Sequence, residues 1–294
     1  MCVDARAGLI PRYGDSSSGP LEAGFRANNM SAPENVVSFL GISVHPKTIA
    51  GLMAIVGEQI EQNEKCVIAN HNLHSLYLYH REPRFRNFYR DAEWTHIDGM
   101  PLVALARLYG YRVKREERVT YVDWTGPLME SAARNDWRVF YLGSEPGVAA
   151  RGADILRQSY PGLKIRTMHG YFDVDPQGQE NNEVLNAIAE YKPQLLMVGM
   201  GMPRQEFWIH DNIERLRANV ILPSGAAIDY VAGAAYTPPR WAGRTGLEWA
   251  FRLAAEPNRL WRRYLLEPWS VLQIVAQDLL ARHLNLRATP PFGD

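Results

Sequence analysis

The sequence predicts an α/β fold: a mainly parallel sheet with helices on both faces, followed by a C-terminal helical appendage. Three observations predict it. Short β-branched runs alternate with helical patterns of roughly 10 to 15 residues from Val36 to Leu222, which is how βαβ units read. Several of those runs end in a polar residue or glycine just ahead of a helix start, as in Asn70-His71-Asn72, Asp98-Gly99 and Gly199-Met200-Gly201. From Pro238 onward strand signals stop, and helices begin at prolines that follow a glutamate, Glu256-Pro257 and Glu267-Pro268, where proline suits the first helical position.

In chain order, residues 1–34 are rich in Gly, Ser, Pro, Asn and Ala without apolar periodicity, and read as a poorly ordered tail. A strand run over 36–44 precedes a helix over 48–62, and a strand over 65–69 precedes a helical stretch through Asp91. Strand 94–97 leads into helix 100–109, 138–142 into 147–159, 164–169 into 180–191, and 194–199 into 204–216, with a last strand at 219–222. The expected organisation is therefore a tail over 1–34, a Rossmann-like α/β domain over 35–237 and a helical appendage over 238–294. Such sheets bind ligands at their carboxyl edge.

The chain has 294 residues, with 32 Lys plus Arg against 32 Asp plus Glu, so any electrostatic preference must come from local clustering. Cys2 and Cys66 offer neither a disulfide framework nor a zinc ligand set. No apolar run reaches a spanning length of about 18 residues, and the N-terminus lacks a signal pattern. These features predict a chain of the reducing cytoplasm that neither spans a membrane nor is exported.

Three strand ends are candidates for chemistry. Asn70 and Asn72 stand where they line a cleft or cap a helix, since asparagine caps well. Asp98 ends a strand before Gly99 and the helix-starting Pro101. It is placed either to cap or to act as a general base, which must reach the hydrogen-bond shell of an attacking hydroxyl. Gly199 and Gly201, ahead of a helix start at Pro203, let a backbone approach a phosphate beneath free helix-start amides, with Gln205 and Glu206 on the first turn. The pattern lacks the third glycine of a dinucleotide fingerprint and lies far along the chain, so an NAD site is a weak inference. Asp173-Val174-Asp175 spells an acidic triplet that elsewhere holds a divalent cation. Its turn-rich setting, through Pro176-Gln177-Gly178, accounts for both aspartates by local hydrogen bonding. The eight histidines show no metal-ligand spacing. Between Thr237 and Leu265, Arg240, Arg244, Arg252, Arg259, Arg262 and Arg263 face only Glu248 and Glu256, with Trp241, Trp249, Trp261 and Trp269 interleaved or just beyond. That bias fits tryptophans packed into the core with solvated arginines first, an anionic lipid interface second, and single-stranded nucleic acid as a further reading.

Taken in order, Asp98-Gly99, Glu117-Arg118-Val119-Thr120, Tyr141-Leu142-Gly143, His169-Gly170-Tyr171-Phe172, Gly199 to Glu206, Gly225-Ala226-Ala227-Ile228-Asp229, Gly246-Leu247-Glu248-Trp249 and Arg259-Leu260-Trp261-Arg262-Arg263-Tyr264 resemble the WecG/TagA/CpsF family of bacterial glycosyltransferases. The resemblance runs from about Val36 to Leu266. It implies an inverting, metal-independent transfer of a hexosyl residue from a UDP-sugar to a polyprenyl-diphosphate-linked acceptor in surface-glycan assembly, with no cofactor and with peripheral contact at the inner face of an anionic membrane. It implies that Asp98 is the base, that Arg118 and Gln205 help bind and orient the donor, and that Arg252, Arg259 and Arg262 close over its diphosphate or meet that of the lipid acceptor. Asn70, Asn72, Asp123, Gly143, Gly199, Gly201, Glu206 and Asp229 complete the candidate binding set. Two departures from the family pattern touch the cleft: Asn70-His71-Asn72 stands for Thr-x-Asn, and Tyr121-Val122-Asp123 for Gly-Ser-Asp. They leave the sugar open among N-acetylmannosamine, its uronic acid and glucose. A nucleotide-dependent oxidoreductase and a nucleic-acid-binding protein remain the alternatives; no nucleic-acid partner is expected on the first reading, and association of copies is left open.

Overall fold

A computed structural model describes residues 36–239, 241–242 and 246–288. The stretch read as a tail lies outside the described residues, as do Cys2, Arg240 and Arg244. The centre is a six-stranded sheet, β3 (Cys66–His71), β4 (Trp94–Ile97), β5 (Arg138–Gly143), β6 (Lys164–Met168), β7 (Leu195–Gly199) and β8 (Val220–Pro223), in the order β4-β3-β8-β7-β5-β6. Every pairing is parallel. Burial of all six β3 residues is what a parallel strand covered on both faces requires, and explains its unbroken run Cys-Val-Ile-Ala before the polar end.

Alternate residues of the strands point to opposite faces and build two cores. On one face Ile68, Val139 and Tyr141 pack with α1 (Ile49–Glu61), α5 (Tyr121–Arg134), α6 (Val148–Ser159) and α9 (Ala227–Val231). On the other, Val67, Phe140 and Leu142 pack with α3 (Pro83–Asp91), α7 (Gln179–Tyr191) and α8 (Arg204–Asn212). Local signals set the helix boundaries. Thr48 accepts the Gly51 N–H to cap α1, and Asn72 forms a reciprocal capping box with Ser75 at the start of α2 (Leu73–Arg81). Pro83 then starts α3, so the single helical stretch read through Asp91 is two helices.

Two further elements differ from the sequence reading. The run 36–44 is an antiparallel hairpin, β1 (Val37–Phe39) and β2 (Ile42–Val44), because Leu40 and Gly41 turn the chain with φ of 50° and 74°. Helix α5 fills a region with no assigned element. Its spaced apolar residues Trp124, Leu128 and Ala132 are all buried, but Pro127 sits inside it and masks the period.

The C-terminal residues form α10 (Glu248–Ala255), α11 (Pro257–Trp261), a π-helical turn (Arg262–Leu266) and α12 (Glu267–Ala288). Val271 and Val275 of α12 are buried against the hairpin, α2 and α4 (Met100–Leu108). Each such valine contributes roughly 1.5 to 3 kcal/mol to anchoring the segment. The reading that the four tryptophans fill the core is overturned. Trp241, Trp249, Trp261 and Trp269 are 53%, 41%, 41% and 68% exposed, and the anchoring valines carry the burial instead. Among the described residues no helix is long and apolar enough to cross a membrane.

Candidate active site

The carboxyl ends of β3, β4, β7 and β8 open into one cavity of about 1320 Å³. That exceeds the roughly 300 to 1,000 Å³ typical of a single ligand pocket and leaves room for two reacting molecules. Asn70, Asn72, Asp98, Arg118, Asp123, Gly199, Gly201, Gln205, Asp229, Arg252 and Arg259 all line it. Gly143, Glu206 and Arg262 do not.

Asp98 follows β4, its N–H donating to the His71 carbonyl at 2.8 Å. The choice between cap and cleft resolves toward the cleft: Gly99, at φ 118°, caps α4, leaving the Asp98 carboxylate free. Asn72 does both jobs expected of it, capping α2 with its oxygen while its Nδ2 donates to Asp98 Oδ2 at 3.3 Å. Asn70 donates to the Pro223 carbonyl at 2.9 Å, tying the end of β3 to that of β8. Burial pushes the Asp98 carboxyl above its ordinary value of 3.8, against the Asn72 hydrogen bond and the charges of Arg118, Arg252 and Arg263. The group is thereby made more basic while three cations favour its charged form.

Arg118 reaches the site through a parallel bridge between its backbone and Ile97. Its guanidinium pairs with Asp123 at 3.2 Å and with Glu248 of α10 at 3.4 Å, while Thr120 donates to Asp123 at 3.1 Å. Burial raises the Glu248 carboxyl, and Asp98 and Asp123 push it further up against the pull of Arg118.

The opposite edge is built of backbone. Gly143 and Gly199 approach so closely that a Cβ on Gly143 meets the Gly199 backbone, and one on Gly199 meets the Tyr141 hydroxyl and the Gly225 carbonyl. Gly143 is thus a packing residue beneath the cleft floor. Gln205 Oε1 accepts the N–H groups of Gly201 at 3.1 Å and Gly225 at 3.2 Å. Gln205 and Glu206 are 1% and 0% exposed; Gln205 lines the cleft, whereas Glu206, expected in the binding set, lies behind the lining. Arg204 donates to the Phe172 carbonyl at 2.6 Å. Burial raises the Asp229 carboxyl, opposed by a hydrogen bond from Ser144.

The third side is a wall of arginines. Arg252 lies 5.9 Å from the Tyr230 ring and Arg263 5.8 Å from the Tyr264 ring. Neither forms an ion pair among the described residues, whereas Arg259 pairs with Glu256 at 2.5 Å. Arg262 is exposed and lies over Trp261 at 5.3 Å; Arg263 lines the cleft in its place. The two arginines open a π-helical turn, in which the Glu267 N–H bonds back to the Arg262 carbonyl, five residues away. Sequence reasoning named Arg263 only as part of the basic cluster. It also passed over Glu248 in Gly246-Leu247-Glu248-Trp249, and the lining Tyr230 beside Asp229.

The acidic triplet follows the loop reading. Asp173 Oδ1 accepts the Asp175 N–H and Asp175 Oδ1 the Gln177 N–H, both at 3.1 Å. Among the described residues no group of three or more His, Cys, Asp or Glu is arranged to hold a metal ion.

A model of the glycosyl transferase WecG/TagA/CpsF family matches residues 37–285. The chain is 28% identical over 219 residues, covering 74% of it and 82% of the relative, to an N-acetylglucosaminyldiphosphoundecaprenol N-acetyl-beta-D-mannosaminyltransferase of Bacillus spizizenii. It is 26% identical over 216 residues, 69% of the chain and 82% of the relative, to the enzyme of the same name in Staphylococcus aureus.

Proposed function

We propose, for a chain that belongs to the WecG/TagA/CpsF family and is a glycosyltransferase, that it transfers a hexosyl residue from a UDP-sugar to a sugar carried on a polyprenyl diphosphate, with inversion and without a metal ion. The names of its relatives make N-acetylmannosamine the first donor sugar to try and a diphosphoundecaprenol-linked N-acetylglucosamine the first acceptor. The observation that carries the reading is the Asp98 carboxylate, directed into the cleft between Asn72 and three arginines.

In the proposed reaction Asp98 accepts the proton of the acceptor hydroxyl as its oxygen attacks the anomeric carbon of the donor. The bond from that carbon to the UDP oxygen breaks, and the electron pair leaves with the diphosphate. The charge that builds there is met by the guanidinium groups of Arg252 and Arg263, which line the cleft. Arg118, held by Asp123 and Glu248, fixes the side of the cleft next to the base. Arg259 lies toward Asp229, at the nucleotide end of the proposed donor site.

Exposed Trp249, Trp261, Leu265, Leu266 and Trp269, carried next to the arginine wall, support docking of this face on an anionic membrane, where a lipid-linked acceptor is presented. The corresponding place is the cytoplasmic side of the cell membrane.

Asp98→Asn tests the assignment. Turnover is expected to fall roughly 100- to 10,000-fold with UDP affinity retained, and a near-normal rate overturns the role of Asp98. Turnover is also expected to survive EDTA; a loss restored by manganese moves the charge-stabilising task from the arginines to a cation.

A further inference from the structure

Glu206 carries a charge-bearing group that the proposed reaction leaves unused. It is 0% exposed, its Oε1 accepts from Gln205 Nε2 at 2.9 Å, and its Oε2 has no hydrogen-bond partner. The neighbouring Gln205 Oε1 accepts from the N–H groups of both Gly201 and Gly225. These are the first positive-φ residues after β7 and β8, at 79° and 53°, and both line the cleft.

A carboxamide has an acceptor end and a donor end. In one orientation Gln205 joins the two glycine turns; in the flipped one its NH2 group faces two N–H donors and both bonds are lost. The two glycine N–H groups favour the first orientation. Glu206 reinforces it from the other end of the amide, because its Oε1 takes the donor end of Gln205 on its own side.

We propose that Glu206 is a positioning residue: by holding the Gln205 amide in a single orientation, it keeps the turns at Gly201 and Gly225 in the spacing that receives the donor's nucleotide diphosphate. This rests on the reading of that edge as the UDP-sugar site.

The surroundings of Glu206 make the device sensitive to pH. Tyr89 of α3 and Tyr121 of α5 face it, and Arg263 from the π-helical turn is the cation among its neighbours. Burial pushes the carboxyl up to about 7, against the Gln205 hydrogen bond, its own backbone N–H and Arg263. Below that pH the group is neutral and the hydrogen-bonded arrangement carries no buried charge. Above it, Oε2 becomes an unpartnered buried anion, and burial, the largest cause, drives it toward solvent or toward Arg263 at the expense of the Gln205 hydrogen bond, which alone would favour the charged form.

The test is UDP affinity by calorimetry for the wild type, Glu206→Gln and Glu206→Ala, from about pH 6 to about pH 8.5. Glutamine reproduces the neutral acid, with an acceptor for Gln205 and no charge. The wild type is expected to lose affinity as pH rises across this range, and Glu206→Gln to lose less, so that the ratio of the two affinities changes with pH. UDP's own titration cancels in that ratio. Glu206→Ala is expected to bind about tenfold more weakly than the wild type at the acidic end. A constant ratio between wild type and Glu206→Gln, or wild-type affinity in Glu206→Ala, overturns the proposal. If Glu206→Ala fails to fold, the ratio for Glu206→Gln decides alone. Failure of the wild type to bind UDP at any pH overturns the donor assignment together with this inference, whereas UDP binding indifferent to residue 206 overturns this inference only.

Discussion

On the β5, β7 and β8 side the cleft is walled by backbone, the glycine turns at Gly201 and Gly225 above a floor packed so closely that neither Gly143 nor Gly199 has room for a Cβ. On the C-terminal side they are the ends of long arginine side chains, carried by helices with exposed tryptophans and anchored at Val271, Val275 and the His74–Glu267 contact of 2.6 Å. The first side is set when the sheet forms and pays its conformational cost during folding. The second must order flexible side chains when a ligand arrives, and its position depends on a few anchors. The difference teaches that one cleft can be built by two devices with separate vulnerabilities: sterics and backbone geometry on one side, charge and docking on the other.

Substitutions separate the two. The largest effect is expected at the backbone edge. Gly199→Ala forces a methyl against the Tyr141 hydroxyl and the Gly225 carbonyl, and should destabilise the fold by about 3 kcal/mol or more in chemical denaturation; stability within error of the wild type contradicts the close packing.

Next, Arg263→Ala should leave the melting temperature close to that of the wild type while lowering kcat by about 100-fold, as loss of one transition-state donor does. It should also move the acid limb of the rate profile. Asp98 must be ionised to act as base, so the rate falls as pH drops through its pKa, already raised by burial. Arg263 lowers that pKa, so its removal shifts the limb to higher pH. An unmoved limb separates Arg263 from the base.

The smallest effect belongs to the neighbour. Arg262→Ala should keep turnover on a short-chain, water-soluble acceptor while reducing partition onto anionic vesicles about fivefold, matching the roughly 1 kcal/mol of a basic residue at such a surface. A rate loss as large as that of Arg263→Ala contradicts the assigned orientations.

The backbone edge was the more legible of the two in the sequence. Gly199, Gly201 and Gln205 announce themselves by spacing, because a turn packed this closely excludes side chains, and Asp98-Gly99 is marked by the break between strand and helix. Even there, sequence placed Glu206 in the site when it lies one layer behind, since a period of 3.6 says which way a residue faces but not how deep the layer is. The arginine wall was legible in composition only. Its inward residues Arg259 and Arg263 share one helical face, but composition does not say which face meets the cleft. The tryptophans misled for a related reason: large aromatic residues usually mark a core, and here small valines of α12 supply the burial. Helix α5 escaped because Pro127 interrupts an otherwise regular stripe.

The π-helical turn at Arg262–Leu266 loosens the link between alignment and geometry. Loss of one residue in that turn would rotate α12, with its anchoring Val271 and Val275, by about 100° against the arginines that precede it. A column-by-column comparison that closed such a gap would hide a change of phase between anchor and wall.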